Sequence, residues 1–217
     1  MRTRGFSLIE LMVTLAVFGI LTMAAIPSIS DWLRNTRLRN QAESVLTGLQ
    51  LARNEAVRRN RPVTFWLVNL PTPGQLTANC TLASNANGWV VSINSPANGC
   101  DAAPSLSVSP MIVKAQVGAD GGAGVGITGR RIAADGSVSA ATSVTFDGLG
   151  RTVSSFANNT QMLNRISVGY AAAATGDRPL QIDIDASGGA RMCDTTITDT
   201  TDARACPTDP QPPSPTP

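Results

Sequence analysis

The chain has 217 residues, a formal net charge of +2 and 15% charged residues, a balance that gives no strong indication of a nucleic-acid-binding protein. It contains no histidine, which excludes histidine-based acid–base catalysis and histidine ligation of a metal. Its four cysteines, an even number, predict disulfides in an exported domain.

The first thirty residues contain an apolar run with a basic start. Arg2 and Arg4 precede a stretch from Leu11 to Ser30 that carries no charge and, as a helix, would be about 30 Å long. That length crosses the hydrocarbon core of a bilayer, and the arginines predict an N-terminus on the cytoplasmic side. Glu10 stands just before the run, where an ionisable group is costly unless it has a partner.

Two simpler interpretations of this segment compete: a cleaved secretory signal and a plain membrane anchor. A cleaved signal has a basic start, an apolar centre and small residues at its end, and Ala24-Ala25 could be that end. In that case, however, Glu10 would fall inside the apolar region, and the helical pattern continues past Ala25. In a plain anchor, Glu10 would lie at the level of the headgroups.

The stretch from Arg4 to Val13, with the sequence RGFSLIELMV, resembles the processing signal of type IV pilins and type II secretion pseudopilins. The resemblance implies that a prepilin peptidase cuts after Gly5 and removes residues 1–5 as a leader peptide. It implies that Phe6 is then methylated on its amine. It further implies that Glu10 neutralises the N-terminal amine of a neighbouring subunit during assembly, which would give this carboxylate its partner.

Beyond the apolar run, a narrower apolar stripe continues at helical spacing. Pro62 ends the pattern, because helices usually stop before the residue that precedes a proline. The sequence predicts one helix from Phe6 to about Arg59, roughly 80 Å long, that Pro27 bends or loosens. Pro27 also matches a proline in the long helix of the pilin family. The stripe consists of Leu38, Ala42, Val45, Leu49, Ala52 and Ala56.

This helix is expected to serve two environments. Residues 6–30 form the half in the membrane or fibre core, and residues 31–61 form a periplasmic half whose stripe packs on the globular domain. Four arginines near the helix end are interpreted as cations favoured at a helix C-terminus and not as a binding patch. They are Arg53, Arg58, Arg59 and Arg61.

Residues 62–194 carry the signals of a β-rich globular domain. Asp135-Gly136 and Asp147-Gly148 are hairpin-turn dipeptides. Together with the helix they predict an α+β fold, in which the long N-terminal helix packs on a mostly antiparallel β domain. Pro110 would place the third strand at a sheet edge or a bulge. The predicted strands are Val63–Val68, Trp89–Ile93, Leu106–Val113, Val144–Phe146, Arg165–Gly169 and Leu180–Ile184.

Two stretches resemble ligand-binding loops but depart from their patterns. Gly118–Gly129 lacks the Gly-Lys-Ser/Thr of a phosphate-binding loop and is interpreted as a flexible connection. Asp183–Gly188 has the alternating oxygens of a calcium loop, with Asp194 in the twelfth position. That position calls for glutamate, Arg191 lies inside the loop and no helices flank it, so a strand turn at Ala186–Gly189 is predicted. We therefore predict no metal, no cofactor and no catalytic residue.

The four cysteines allow three disulfide connectivities. Proximity along the chain favours Cys80–Cys100 and Cys193–Cys206, each of which closes a short loop. The second disulfide would pin the tail, residues 195–217, which is rich in threonine, aspartate and proline. Beyond Cys206 the tail is expected to be disordered or weakly ordered.

Three later stretches resemble the FimT/GspH-type minor pseudopilins: Arg53–Asn60 (RNEAVRRN), Phe146–Arg151 (FDGLGR) and Arg191–Asp194 (RMCD). The resemblance implies a type IV pilin-like fold and a non-enzymatic role in assembling or priming a type IV pilus or a type II secretion pseudopilus. The implied partners are other minor and major pilins or pseudopilins, the prepilin peptidase and the inner membrane. The C-terminal domain would lie in the periplasm.

The alternative function is a pilus-associated DNA receptor in natural transformation. Some FimT-type pilins bind DNA through a C-terminal Gly-Arg-x-Arg motif, and the corresponding stretch here is Gly188-Gly189-Ala190-Arg191. The first arginine of the motif is missing, and phosphate binding usually draws on several clustered cations. The candidates for such a contact are Arg130, Arg131, Arg151 and Arg191.

Overall fold

The first element of the fold is a helix, α1, which spans Leu8–Arg59, 52 residues or about 78 Å. The predicted end at Arg59 is confirmed, whereas the predicted start at Phe6 lies outside the described residues. Asn60 ends α1 in the left-handed conformation, with φ of 47°, which asparagine tolerates better than most residues. The structure is a computed structural model that describes residues 7–72, 74–118, 124–153 and 162–207.

The second half of α1 packs on the β domain through the predicted apolar stripe. All six stripe residues are buried in the main hydrophobic core, so this prediction is confirmed. The polar residues Arg39, Glu43, Gln50 and Asn54 fall off the stripe and are exposed, whereas Gln41 and Glu55 are buried beside it. The helix continues without interruption past Pro27. The bend expected at that proline stays a prediction.

The β domain consists of two sheets whose described strands all pair antiparallel. The first sheet has the order β5-β4-β1-β8-β9, with β2 on β1, and the second has the order β12-β11-β10-β6-β3, with β7 on β6. The predicted α+β fold is confirmed. The strands are β1 Val63–Asn69, β2 Thr81–Leu82, β3 Asn85–Ala86, β4 Gly88–Ser92, β5 Ile112–Val117, β6 Val125–Ile132, β7 Val138–Ala140, β8 Ser143–Phe146, β9 Thr152–Val153, β10 Arg165–Tyr170, β11 Leu180–Ile184 and β12 Ala190–Asp194.

The main core lies where α1 crosses both sheets, and it is tightest around a helical glycine. A Cβ added at Gly48 would lie 2.8 Å from a ring carbon of Phe65 and 3.0 Å from the indole of Trp89. The two rings stack with their centroids 5.6 Å apart. The Trp89 indole Nε1 donates to Ser44 Oγ on the same helix (3.1 Å). Glycine at this position therefore lets the helix backbone approach the aromatic pair directly.

A smaller core covers the other face of the first sheet. It contains Trp66, Val90 and Ile112, and it also includes both sulfurs of the Cys80–Cys100 disulfide. The disulfide joins the loop that follows β1 to the loop between β4 and β5, across a sequence separation of 20 residues. This bond is one of the two that proximity predicts. It holds these two loops together within the smaller core.

Two predicted elements were wrong. The strand expected at Leu106–Val113 begins only at Ile112, because Met111 adopts a left-handed φ of 57° that interrupts an extended chain. It is nevertheless an edge strand with an irregular register opposite Val91 and Ser92, as Pro110 predicted. The flexible connection expected at Gly118–Gly129 is overturned over its second half, which belongs to β6. Residues 119–123 of that connection lie outside the described residues.

One glycine of β6, Gly129, lies where a side chain would not fit. A side chain at Gly129 would collide with the Ala141 carbonyl oxygen and with Leu67. The missing side chain thus lets β6 approach the other sheet closely, which is a recurrent use of glycine inside strands. At Gly129, therefore, glycine reflects close packing and not flexibility.

Three tight turns lie where the sequence predicts them. The first, at Asp135-Gly136, joins β6 to β7, and the second, at Asp147-Gly148, joins β8 to β9. The third runs through Asp185–Gly189 and joins β11 to β12. After β12 the chain returns along the sheet and is held by the Cys193–Cys206 disulfide, the other pairing that proximity predicts.

Candidate functional site

The N-terminal half of α1 carries a large apolar surface that the β domain does not cover. Fourteen large apolar side chains between Leu8 and Leu33 are 44–78% exposed. The first buried side chain of the stripe is Leu38. Side chains 24–28 lie outside the described part of the chain. A contiguous apolar surface of this size on an isolated chain indicates a region that contacts a partner or a membrane.

Within the residues that the structure describes, no helical segment meets the length and apolarity of a membrane span.

Glu10 lies in the first turn of α1, beside this apolar surface. Its side chain is exposed, and it has no ion-pair partner among residues 7–72, 74–118, 124–153 and 162–207. A carboxylate in the first turn is favoured by the helix dipole. Gly5 and Phe6, the predicted processing and methylation residues, lie outside the described residues. Their roles stay predictions.

An ion pair between Arg34 of α1 and Asp177 of the β domain, here called the charged joint, fixes the exposed half-helix to the domain. Arg34 Nε donates to Asp177 Oδ1 (2.7 Å), and its Nη2 donates to Asp177 Oδ2 (2.6 Å). The same guanidinium lies 3.9 Å from the centroid of the Tyr170 ring. One residue on, Asn35 Nδ2 donates to the Gly176 carbonyl (2.9 Å). A bidentate, stacked arginine sets orientation as well as distance, so the joint determines the angle at which α1 leaves the domain.

The joint also makes folding sensitive to acid. The hydrogen bonds from Arg34 lower the pKa of Asp177 below its ordinary value, although burial opposes the shift. Because the folded-state pKa is the lower one, the unfolded chain binds more protons between the two pKa values. The stabilisation from Asp177 is therefore present above about pH 4 and is lost as the pH falls through the folded-state pKa.

We expect Asp177→Asn to lower the melting temperature by several degrees at pH 7 and to flatten its decline between about pH 5 and pH 3. The substitution removes the titrating group and leaves Arg34 without its anion. Differential scanning calorimetry across this pH range measures both effects. Glu43→Gln is the matched control, because Glu43 pairs with Arg39 on the same helix but both side chains are exposed. An unchanged pH slope in Asp177→Asn would contradict the assignment.

The C-terminal end of α1 carries two ion pairs within the helix and one arginine that contacts the β domain. Arg58 Nη2 donates to both carboxylate oxygens of Glu55 (2.6 and 2.7 Å), and Arg59 Nε donates to Glu55 Oε2 (2.6 Å). Burial raises the pKa of Glu55, but these hydrogen bonds outweigh it and leave the pKa below its ordinary value. Arg53 Nε donates to the Gly150 carbonyl (3.0 Å), and its Nη2 donates to the Ser187 carbonyl (3.1 Å). Three of the four arginines at the helix end thus have structural contacts.

The four arginines suggested for DNA contact are not brought together. Arg130 and Arg191 lie in one row across the outer face of the second sheet, with Arg165 and Asp183 between them. Arg165 Nε is 2.8 Å from Asp183 Oδ1, and Arg191 Nη2 donates to the Ala203 carbonyl (2.6 Å). The remaining two lie elsewhere: Arg131 is on the opposite face of β6, and Arg151 is in the turn after β8, paired with Asp147.

The calcium-like stretch is a hairpin turn whose oxygens are already engaged. Asp185 Oδ1 accepts from Ser187 Oγ (2.5 Å) and from the Gly189 N–H (2.9 Å). Asp183 accepts from Arg165 and from Gln181. In the described parts of the chain, no group of three histidine, cysteine, aspartate or glutamate residues is placed to hold a metal ion.

The geometry is that of a long helix with an uncovered apolar half, fixed to a two-sheet domain. A family model described as type II transport protein GspH matches residues 41–188, well over half of the chain. The chain belongs to the GspH family. A second model, the prokaryotic N-terminal methylation motif, matches residues 1–26. Membership in the GspH family together with this motif places the chain in the superfamily of type IV pilins and pseudopilins.

Comparisons with individual proteins add little to the GspH-family assignment. A search of curated proteins found no match. Among solved structures, the chain is similar to the type IV minor pilin FimU of Pseudomonas aeruginosa. The two are 16% identical, the match covers 71% of this chain and 90% of FimU, and the TM-score is 0.41.

Proposed function

We propose that this chain is a minor pilin or pseudopilin, a non-enzymatic structural subunit that helps to assemble or prime a type IV pilus or a type II secretion pseudopilus. One observation carries the proposal: the N-terminal half of α1 exposes fourteen large apolar side chains on a helix that is fixed to a folded domain. In aqueous surroundings, such an apolar surface must be covered by a partner or a membrane. In this proposal the bilayer covers it before assembly, and the helices of neighbouring subunits cover it in the fibre.

The proposal assigns a role to each segment. Residues 1–5 are the leader, residues 6–30 are the membrane and fibre-core half of the helix, and residues 31–61 are its periplasmic half. Residues 62–194 form the globular domain, and residues 195–217 form the C-terminal tail. Arg2 and Arg4 keep the N-terminus cytoplasmic, so the domain lies in the periplasm, where the two disulfides suit an oxidising compartment.

The proposed partners follow from these environments. Other minor and major pilins or pseudopilins cover the apolar half-helix, the prepilin peptidase acts between Gly5 and Phe6, and the inner membrane holds the chain before assembly. The scattered positions of the candidate arginines favour this role over that of a DNA receptor, since binding along a phosphate backbone draws on several clustered cations.

The mature N-terminus tests the proposal. We expect the chain purified from its native membrane to begin at Phe6 and to carry one methyl group on the α-amine. Intact-mass and N-terminal peptide mass spectrometry measure both features. A mature chain that begins after Ala25 would identify a cleaved secretory signal, and one that retains Met1 would identify a plain anchor. Either result would overturn the proposal.

A further inference from the structure

A rigid turn presents an apolar side chain at the end of the domain that lies farthest from the exposed half-helix. Asp147 Oδ1 accepts from the N–H groups of Leu149 and Arg151, both at 2.9 Å. The Asp147 N–H in turn donates to the Arg151 carbonyl (2.9 Å), and Gly150 adopts a left-handed φ of 75°. These bonds fix the turn, yet they leave Leu149 pointing away from the core, 72% exposed.

The turn packs against the last turn of α1. A Cβ added at Gly150 would lie 3.1 Å from Val57 Cγ2, and one added at Gly148 would lie 2.5 Å from Asn60 Oδ1. The hydrogen bond from Arg53 Nε to the Gly150 carbonyl oxygen holds the turn against the helix. Val57 is itself half exposed. The two apolar side chains therefore share one surface that is supported from two elements.

The charge exposed around this apolar centre is positive. The side chains of Arg58 and Arg151 are 70% and 62% exposed, whereas those of their carboxylate partners Glu55 and Asp147 are only 10% and 19% exposed. Arg61 is also exposed, and it has no ion-pair partner among the residues described. The carboxylates thus lie beneath the surface and the guanidinium groups lie on it.

We propose that Val57, Leu149, Arg58, Arg61 and Arg151, here called the distal surface, dock onto an apolar patch with an acidic rim on a neighbouring pilin-type subunit. The inference rests on the proposed function. Arginine is enriched at interface hot spots, and its guanidinium group pairs well with carboxylates. In a fibre of parallel helices, the distal surface lies about 75 Å from Leu8 and faces the subunit ahead.

Site-specific photocrosslinking in cells that express the full chain tests the inference. A benzophenone amino acid is placed at residue 149, at residue 106 and at residue 17. Leu106 is the matched control, because it is 74% exposed but lies on the loop between β4 and β5, with no charged residue within four positions along the chain. Val17 lies on the apolar half-helix and reports assembly itself. We expect position 149 to capture a peptide of a pilin-type chain that contains both apolar and acidic residues.

Substitutions supply the quantitative readout. We expect Leu149→Glu and Arg61→Glu each to reduce recovery of the subunit in sheared fibres about tenfold, the effect of removing a hot-spot contact. Leu106→Glu should leave recovery unchanged. Leu149→Ala should also reduce recovery, although its backbone hydrogen bonds can all persist. Disulfide formation, read by mobility on non-reducing gels, reports that each variant has folded.

The outcomes separate the two proposals. Crosslinks from position 17 without crosslinks from position 149 would overturn the distal surface and leave the assembly role intact. The absence of crosslinks from both positions would overturn the assembly role and the distal surface with it. Equal yields from positions 149 and 106 would show that exposure alone explains the contact. Capture of a basic segment would contradict the stated chemistry of the partner. Capture of a segment without acidic residues from a second copy of this chain would contradict it as well.

Discussion

Replacing Glu10 by valine is expected to exclude the chain from assembled fibres while leaving it in the inner membrane. In the proposed fibre, Glu10 neutralises the amine of a neighbouring Phe6 inside an apolar bundle. Breaking a buried ion pair by removing one partner costs about 3–5 kcal/mol, because the other charge is left uncompensated. Incorporation should therefore fall by at least about a hundredfold. Valine is favourable in a membrane helix, so insertion should be unaffected.

Immunoblots of sheared fibres and of membranes measure the two pools separately. Glu43→Val is the matched control, since Glu43 lies on the same helix but forms only an exposed ion pair with Arg39. This control should be incorporated normally. If Glu10→Val enters fibres as well as the unaltered chain does, Glu10 has no role in assembly.

Replacing Trp89 by alanine is expected to cost about 3–5 kcal/mol of folding stability, as for other buried aromatic residues. The Trp89 side chain is 1% exposed, and it contacts Gly48 of α1 and Phe65 of β1 at once. Its loss would leave a cavity between helix and sheet and would leave Ser44 without its donor. For a chain of this size the melting temperature should fall by roughly 10 °C.

Calorimetry of the detergent-solubilised full chain measures this effect. Trp32→Ala is the matched control, because Trp32 is on the exposed part of the same helix and its side chain is 65% exposed. Its substitution should change the free energy of unfolding by no more than about 0.5 kcal/mol. Trp89→Phe should lie between the two. A Trp89→Ala chain that melts within about 2 °C of the unaltered protein would show that helix and sheet are joined elsewhere.

The helix could be predicted closely from the sequence because its information is local and periodic. The stripe from Leu38 to Ala56 repeats every three or four residues, and Pro62 supplies a stop signal. The strands rich in β-branched and aromatic residues, such as Val63–Asn69, were found for the same reason. The sequence signal of a strand weakens when the strand contains few β-branched and aromatic residues. Glycine-rich β6 was missed, and so was β12, Ala190–Asp194, which has no β-branched or aromatic residue.

The contacts that position the candidate site could not be predicted in the same way. Arg34 and Asp177 are 143 residues apart, and nothing in either local sequence indicates the other. The same holds for Arg53 and its two carbonyl partners, which depend on how two separate hairpin turns meet the helix end. The arginine cluster itself was visible in the sequence. Its division between buried structural pairs and an exposed basic surface required the tertiary fold.

The return of the chain after β12 has a consequence for how subunits can recognise one another. The Asp194 N–H donates to the Arg204 carbonyl (2.8 Å), residues 194 and 205 form a parallel bridge, and the Cys193–Cys206 disulfide keeps this segment in place. An open strand edge accepts almost any extended peptide, because backbone groups carry no sequence information. With this part of the edge occupied by its own tail, the second sheet is protected there from indiscriminate strand addition in a crowded compartment. In the proposed fibre, recognition on that side is left to side chains, which would differ between subunits and could therefore specify the order in which the fibre is built.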